Sequence, residues 1–336
     1  MSINKDSKIA ITGGAGYIGS FTIQYLKDLG FTNLVILDNF STGRKENCLV
    51  RNIEVDLMDK DKLNEVFLTE QFESVIHFAS LIVVSHSMED PYWYFKHNYN
   101  TSLNLLECMR LNGTKHIVFS STCALYGEPE NVPITEKEPI KAENVYAESK
   151  AMIETLIKWY QKIYGINFVL LRYFNACGAH IGALYGEKHI PETHLIPAAI
   201  HNIIQGKSIE IFGNDYDTKD GTAIRDYIHV DDLASAHHLA LEHLYKGNKS
   251  DIFNLGTGNG QSVSDVVEAL REVAKDKGYD ACIEYKPRRA GDVPQLFADN
   301  SKAKEILGWN PTHLDIKEIV NEAFVWILEQ EKRHLL

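Results

Sequence analysis

Lys8-Ile9-Ala10-Ile11-Thr12-Gly13-Gly14-Ala15-Gly16-Tyr17-Ile18-Gly19 is the stretch from which the rest of the chain can be read. A short apolar run ends in a GxxGxxG turn and passes at once into a helical pattern. Glycines there let the backbone approach a pyrophosphate held on the N-terminus of the following helix. The same turn also serves tight strand–helix packing, so Gly13, Gly16 and Gly19 do not decide the matter alone. Asp38 adds the missing context, because it stands nineteen residues past Gly19 at the end of the next apolar run. A carboxylate there accepts both adenosine-ribose hydroxyls and repels a 2′-phosphate, which favours NAD over NADP. Arg44 argues mildly against that preference, and an N-cap or loop-solvating role is the alternative for Asp38. Asp56, closing the third run, suits the adenine amino group or, equally, a helix N-cap.

Outward from this turn, apolar runs alternate with helical patterns as far as Arg172. They cover Lys8 to Thr12, Asn33 to Leu37, Ile53 to Val55, Ser74 to Phe78, His116 to Ser120 and Asn167 to Leu171. Such alternation predicts a Rossmann-type, doubly wound parallel sheet. The runs lack polar alternation, as expected of strands covered by helices on both faces. Ligands of such a sheet lie at the carboxyl ends of its strands. After Asn175 the rhythm loosens. Strands are expected near Ile209 to Phe212, Tyr227 to His229 and Asp251 to Leu255, with helices over Leu195 to Gln205, Asp231 to Tyr245, Val263 to Lys275 and Ile316 to Glu329. The reading is two units, 1–175 for the dinucleotide and 176–336 as a smaller C-terminal α/β substrate domain, with some later segments free to pack back on the first.

Tyr146 and Lys150 are four apart in a segment that reads as one long helix through Tyr164, so their side chains share a face. A phenol is a poor base near neutral pH, and a neighbouring ammonium favours its ionised form. A YxxxK pair alone is usually a solvated helix face; downstream of a dinucleotide turn it reads as an acid–base pair. The run from His116 ends in Ser120-Ser121-Thr122, which places hydroxyls at the carboxyl edge of the sheet, where one can bond a substrate oxygen and relay its proton. The spacing leaves open which of the three does so.

The bulk properties bound the partners. The chain has 336 residues, about two domains' worth, with a hydrophobic share of 44%. A net charge of −12 offers no broad positive field for a polyanion, so nucleic acid is not an expected partner. The five cysteines are scattered and form no CxxC pair, which fits a reducing cytoplasm. The polar opening residues contain no secretory h-region, and no stretch approaches the ~18 apolar residues of a membrane span. The 14 histidines form no HExxH, and His237-His238 are adjacent and face apart on a helix, so no metal site is expected.

With these residues in place, the chain resembles the UDP-glucose (UDP-galactose) 4-epimerase family of the extended short-chain dehydrogenase/reductase superfamily. The resemblance covers nearly the whole chain. It rests on Thr12 to Ser20 (TGGAGYIGS), Leu170 to Ala179 (LLRYFNACGA), Pro191 to Pro197 (PETHLIP), PRRAGD from Pro287 and, above all, Ile211 to Val230 (IFGNDYDTKDGTAIRDYIHV). It implies NAD contacts from Tyr17, Ile18, Asp38, Asn39, Asp56, Leu57, Phe78, Ala79, Ser80, Asn98, Tyr146, Lys150 and Phe174. It places the substrate-hydroxyl partner at Thr122, where many relatives have Ser. It further implies UDP-sugar contacts from Asn175, Leu195, Phe212, Arg225, Arg289 and Asp292: two arginines for the diphosphate and an aromatic flanking uracil. Leu296 falls where a bulky tyrosine resembles a gate against N-acetyl sugars, or it packs in the core. Two departures stand out. Ile82 replaces a lysine that some relatives carry near the cofactor pyrophosphate, and Asn144-Val145-Tyr146-Ala147 lacks the usual Pro before and Gly after the tyrosine.

The expected activity is that of an isomerase. Tyr146, helped by Thr122, removes the 4-hydroxyl proton of a UDP-sugar while C4 gives a hydride to NAD, and the 4-keto sugar turns over and is reduced on its other face. A nucleotide-sugar dehydratase or decarboxylase is the nearest alternative, but Cys123 stands beside Thr122 where those relatives place an acid. A non-catalytic NAD sensor is expected to have lost Tyr146 or Lys150. The expected partners are a UDP-sugar and a second copy of the chain, with neither nucleic acid nor membrane.

Overall fold

The computed structural model describes residues 3–180, 186–189, 192–289 and 291–334. Pro191 and Ala290, each part of a stretch quoted above, lie outside the described residues. The first half runs β1 Ile9–Thr12, α1 Tyr17–Asp28, β2 Leu34–Asp38, β3 Asn52–Glu54, α2 Lys60–Glu70, β4 Ser74–His77, α3 Val84–Glu89, α4 Pro91–Tyr94, α5 Asn100–Asn112, β5 His116–Thr122, α6 Val145–Tyr164 and β6 Asn167–Tyr173. The second runs β7 Asn175–Cys177, α7 Leu195–Ile204, β8 Ile209–Phe212, β9 Ile224–Arg225, β10 Tyr227–His229, α8 Val230–Tyr245, β11 Asp251–Leu255, β12 Gln261–Ser262, α9 Val263–Asp276, β13 Ile283–Lys286, β14 Gln295–Leu296 and α10 Ile316–His334.

Seven parallel strands form the main sheet in the order β11-β6-β5-β4-β1-β2-β3. The order reverses between β1 and β4, which opens a crevice at their carboxyl ends. Pleating divides the apolar runs between two cores. Ile9, Ile11, Ile36, Ile76, Val118 and Val169 face one, packed with residues of α1 and α8. Ala10, Val35, Leu37, Val75, Ile117 and Phe119 face the other, packed with α2, α5 and α6. Both sides of the sheet are therefore dry, which is why its strands carry no polar alternation.

Residues 230–255 return to this sheet: α8 packs on α1, and β11 pairs in parallel with β6, from Asp251 opposite Val169 to Leu255 opposite Tyr173. A further core lies between α7, α9 and α10 and the parallel pair β8–β13. Between the two bodies β9 is sandwiched by β12 and β14, with Leu296 opposite Arg225. This small sheet carries substrate-side candidates to the mouth of the crevice.

Candidate active site

The glycine turn is shaped by close approach. Gly13 adopts φ +67°, and a Cβ on it would lie 2.6 Å from the Ala79 amide nitrogen. A Cβ on Gly19 would lie 2.7 Å from the Gly13 carbonyl oxygen, so α1 can begin this near the turn only without a side chain there. Gly16 is the N-cap of α1, and no side chain caps that end, which leaves its first amides open to an anion. At the end of β2, Asp38 accepts from Ala15 N (3.1 Å) and Phe40 N (2.9 Å). Burial raises its carboxyl above the usual range, and those amides pull it back. Gly43 passes close over it, since a Cβ there would lie 2.8 Å from either carboxylate oxygen. Asp56 accepts from Met58 N at 2.8 Å and so closes a turn, while Asp59 is the residue that caps α2. Asn98 is spent on bracing: it holds Leu81 N (2.8 Å), Leu81 O (3.1 Å) and Ser149 Oγ (3.0 Å). Ile82 is partly exposed on the cavity wall. The uncapped helix end, the glycine cradle and the carboxylate at the second strand together fit a dinucleotide such as NAD.

Strand β5 carries its three hydroxyls to three different partners. Ser120 pairs with the Tyr173 hydroxyl, Ser121 donates to Glu154 at 2.7 Å, and Thr122, which accepts from Ala124 N at 3.1 Å, is the one whose hydroxyl favours ionisation of Tyr146. Structure thus separates what spacing left open, and Thr122 is the hydroxyl beside the tyrosine. Helix α6 starts at Val145 because the Asn144 side chain accepts from Ala147 N at 2.8 Å, which replaces the Pro-led entry. Tyr146 is consequently in the first turn, its amide held by Ser87 Oγ at 3.2 Å. Lys150 is fully buried and donates from Nζ to Ser120 O at 2.9 Å, 5.9 Å from the centre of the Tyr146 ring.

The electrostatics correct one expectation. Burial pushes the Tyr146 phenol well above its ordinary value, nearby Tyr173 adds to this, and the neighbouring Thr122 hydroxyl opposes it. Lys150 does not offset this, because burial depresses its own affinity for a proton to about 7, against the Glu154 charge that raises it. Glu154, with Arg172 at 2.8 and 2.6 Å, is a buried ion pair one turn beyond Lys150. Without a bound cofactor, desolvation wins and Tyr146 keeps its proton.

On the opposite wall, Arg225 donates to Ile224 O (2.9 Å) and Val293 O (2.8 Å). Arg225 and Arg289 converge on the two oxygens of Asp292, each at 3.5 Å, and Arg289 lies 4.3 Å over the Phe212 ring. Leu296 packs at the edge of a small cluster with Cys123, Tyr126, Ile134, Phe174 and Ala298, and it also reaches the cavity. Leu195 is the first residue of α7, and the Asn175 amide is tied to Asp226 O at 2.9 Å.

Every residue assigned above to cofactor, substrate or chemistry lines one cavity of about 1720 Å³. That cavity also includes Tyr173, Asn144, Glu187, Lys188, His189, Thr193 and His194, which sequence reasoning passed over. Asn144 was findable, as an N-cap residue three before the amide it caps. Ser87 gave no signal, being 59 residues from the amide it holds.

The model of the NAD dependent epimerase/dehydratase family matches residues 9–256. The chain is 44% identical over 321 residues to the UDP-glucose 4-epimerase of Lacticaseibacillus casei, covering 95% of this chain and 96% of that one. Among solved structures, UDP-glucose 4-epimerase from Brucella ovis in complex with NAD superposes with a TM-score of 0.91 at 40% identity, over 95% of this chain and 98% of that one. The UDP-Glc/GlcNAc 4-epimerase from Campylobacter jejuni gives a TM-score of 0.82 at 39% identity, over 96% and 99%. A family match over most of the main sheet, together with relatives matched nearly end to end, shows that the chain belongs to the NAD dependent epimerase/dehydratase family.

Proposed function

We propose that the protein is a UDP-glucose 4-epimerase, an isomerase that interconverts UDP-galactose and UDP-glucose with NAD held in the crevice between β1 and β4. The observation that carries this reading is that Tyr146 and Thr122, at the carboxyl end of β5, line the same cavity as the uncapped end of α1 and the pair Arg225 and Arg289. NAD, when bound, supplies reversible hydride acceptance from C4 and a positive ring beside the phenol. Gly13, Gly16 and Gly19 give its pyrophosphate room, Asp38 takes the adenosine ribose, and Lys150 sits where the other ribose is expected.

The chain's own residues move the proton. Tyr146 takes the 4-hydroxyl proton of the sugar, with Thr122 bridging the two oxygens, and returns it after the 4-keto sugar has turned over. A neighbouring positive charge offsets the rise that burial causes, so that Tyr146 can release its proton to solvent and stand ready to accept the one from the sugar. Arg225 and Arg289 exchange Asp292 for the diphosphate, and Phe212 flanks the uracil. Holding the UDP handle rather than the sugar leaves the sugar free to rotate.

Dehydration is the alternative in the same family. It needs an acid beside Thr122, and Cys123 is buried with its thiol pushed up to about 12. Incubating the purified protein with UDP-galactose is expected to yield UDP-glucose without accumulation of reduced cofactor; a 4-keto-6-deoxy product would overturn the proposal. The five free cysteines support a cytoplasmic place of work, and no described helix is long and apolar enough to cross a membrane. A homodimer fits α5 and α6, which pack together and leave Leu111, Met152, Trp159 and Ile163 exposed.

A further inference from the structure

Four side chains given no role so far converge on the cavity wall just ahead of α7. The ligand atoms of Glu187, His189, Glu192 and His194 all lie within 4.8 Å of one another. His189 Nδ1 is 3.3 Å from Glu187 Oε1 and 3.8 Å from Glu192 Oε2, and His194 Nδ1 is in direct contact with Glu187 Oε1. Tetrahedral zinc with bonds of ~2.0–2.2 Å sets its ligand atoms about 3.3–3.6 Å apart, a range that the His189–Glu187 distance meets, that the His189–Glu192 distance slightly exceeds, and that His194 reaches by parting from Glu187 as an ion enters between them. We propose that these four residues form a tetrahedral site for a divalent cation of the zinc class, which braces the wall of the cavity.

Three further observations support the assignment. His189 Nδ1 is buried and has no partner in good hydrogen-bond geometry, its nearest being Glu187 Oε1 at 3.3 Å. The two imidazoles meet edge to face, their planes at 89°, so that both Nδ1 atoms point inward and the rings do not stack. The carboxylates are oriented from behind, as metal ligands generally are. The amides of Thr193 (2.8 Å) and His194 (2.9 Å) hold Glu192 Oε1, and that of His189 holds Oε2 at 3.3 Å. Trp326 of α10 donates to the Glu187 carbonyl at 3.3 Å and pins that strand of the wall. Two imidazoles and two carboxylates suit zinc, and four protein ligands leave no open position, which is the pattern of a structural ion. The cation would tie Glu187 and His189 to the segment that delivers Leu195 to the cavity. The inference does not depend on the proposed reaction, since its measurement is metal content.

Tag-free protein, stripped with chelator and dialysed, is titrated with Co²⁺ and then Zn²⁺. The expected result is one Co²⁺ retained per chain with the visible absorption of four-coordinate cobalt, displaced by Zn²⁺. His189→Ala and Glu192→Gln each weaken binding by more than the ~10–100-fold typical of outer-shell changes. Failure of the parent protein to retain metal through dialysis overturns the site. So does an unchanged cobalt spectrum and affinity in His189→Ala, which would place the ion elsewhere.

Discussion

The two walls of the cavity are built on opposite terms. On the cofactor side the polar groups are buried and already satisfied by the backbone: Asp38 by two amides, Asn98 by the loop it braces, Lys150 by Ser120 O. On the substrate side Arg225 rests on two carbonyls, but it and Arg289, which is about half exposed, reach Asp292 only at 3.5 Å. Loose, half-solvated ion pairs are worth little and are readily exchanged for a better anion. A finished wall suits a ligand that stays, and a provisional wall suits one that comes and goes in every turnover.

The largest expected effect lies where the walls meet. Tyr146→Phe lowers kcat by ~10²–10⁴-fold with nucleotide affinity nearly unchanged, as loss of an acid–base group does; full activity in steady-state assays would remove Tyr146 from the chemistry. On the provisional wall, Arg225→Ala weakens UDP by ~10–100-fold, the worth of a charge-assisted hydrogen bond of ~1.5–3 kcal/mol. Titration calorimetry with UDP reads this, and unaltered affinity would mean that Arg225 only holds Val293. Leu296→Tyr tests whether the edge of that wall sets sugar choice. It is expected to cut kcat/KM for UDP-N-acetylgalactosamine by about tenfold, with UDP-galactose little affected, as ~1–3 kcal/mol of steric discrimination allows. No N-acetyl activity in the parent protein, or none lost in the variant, assigns Leu296 to packing alone.

The smallest effect is thermal and belongs to the finished wall. Burial holds Lys150 near 7, whereas its ordinary value is 10.5. Between those values the unfolded chain binds the proton more tightly, so the folded form loses stability as pH falls through the window, and the penalty is complete below about 7. Lys150→Met therefore raises Tm more near pH 7 than near pH 10. Equal shifts at both would show that the buried ammonium is not what the fold tolerates there.

The sheet was legible because its strands are uniformly apolar and its first turn needs glycine. β8, β10 and β11 begin and end where their apolar runs do. That β11 crosses back to pair with β6 was not legible, since an apolar run states that a strand is buried and not beside which neighbour. Likewise Ser120, Ser121 and Thr122 look alike along the chain. They differ only through Tyr173, Glu154 and Tyr146, which lie 53, 33 and 24 positions downstream. How far burial raises the Tyr146 phenol and lowers the Lys150 ammonium was not legible for the same reason: proximity can be read from i and i+4, but depth cannot.

Asn144 links folding to chemistry in one further way. By capping α6 it fixes Tyr146 as the second residue of a 20-residue helix. The aligned peptide dipoles give that end a partial positive charge, worth ~0.3–1 kcal/mol to a nearby anion and fading within one turn. A phenolate at Tyr146 therefore stands in a permanent field that neither ligand has to bring. A helix begun one turn earlier would keep the same side chains and lose that field. The residue that decides where the helix starts thus also helps to set how readily the tyrosine gives up its proton.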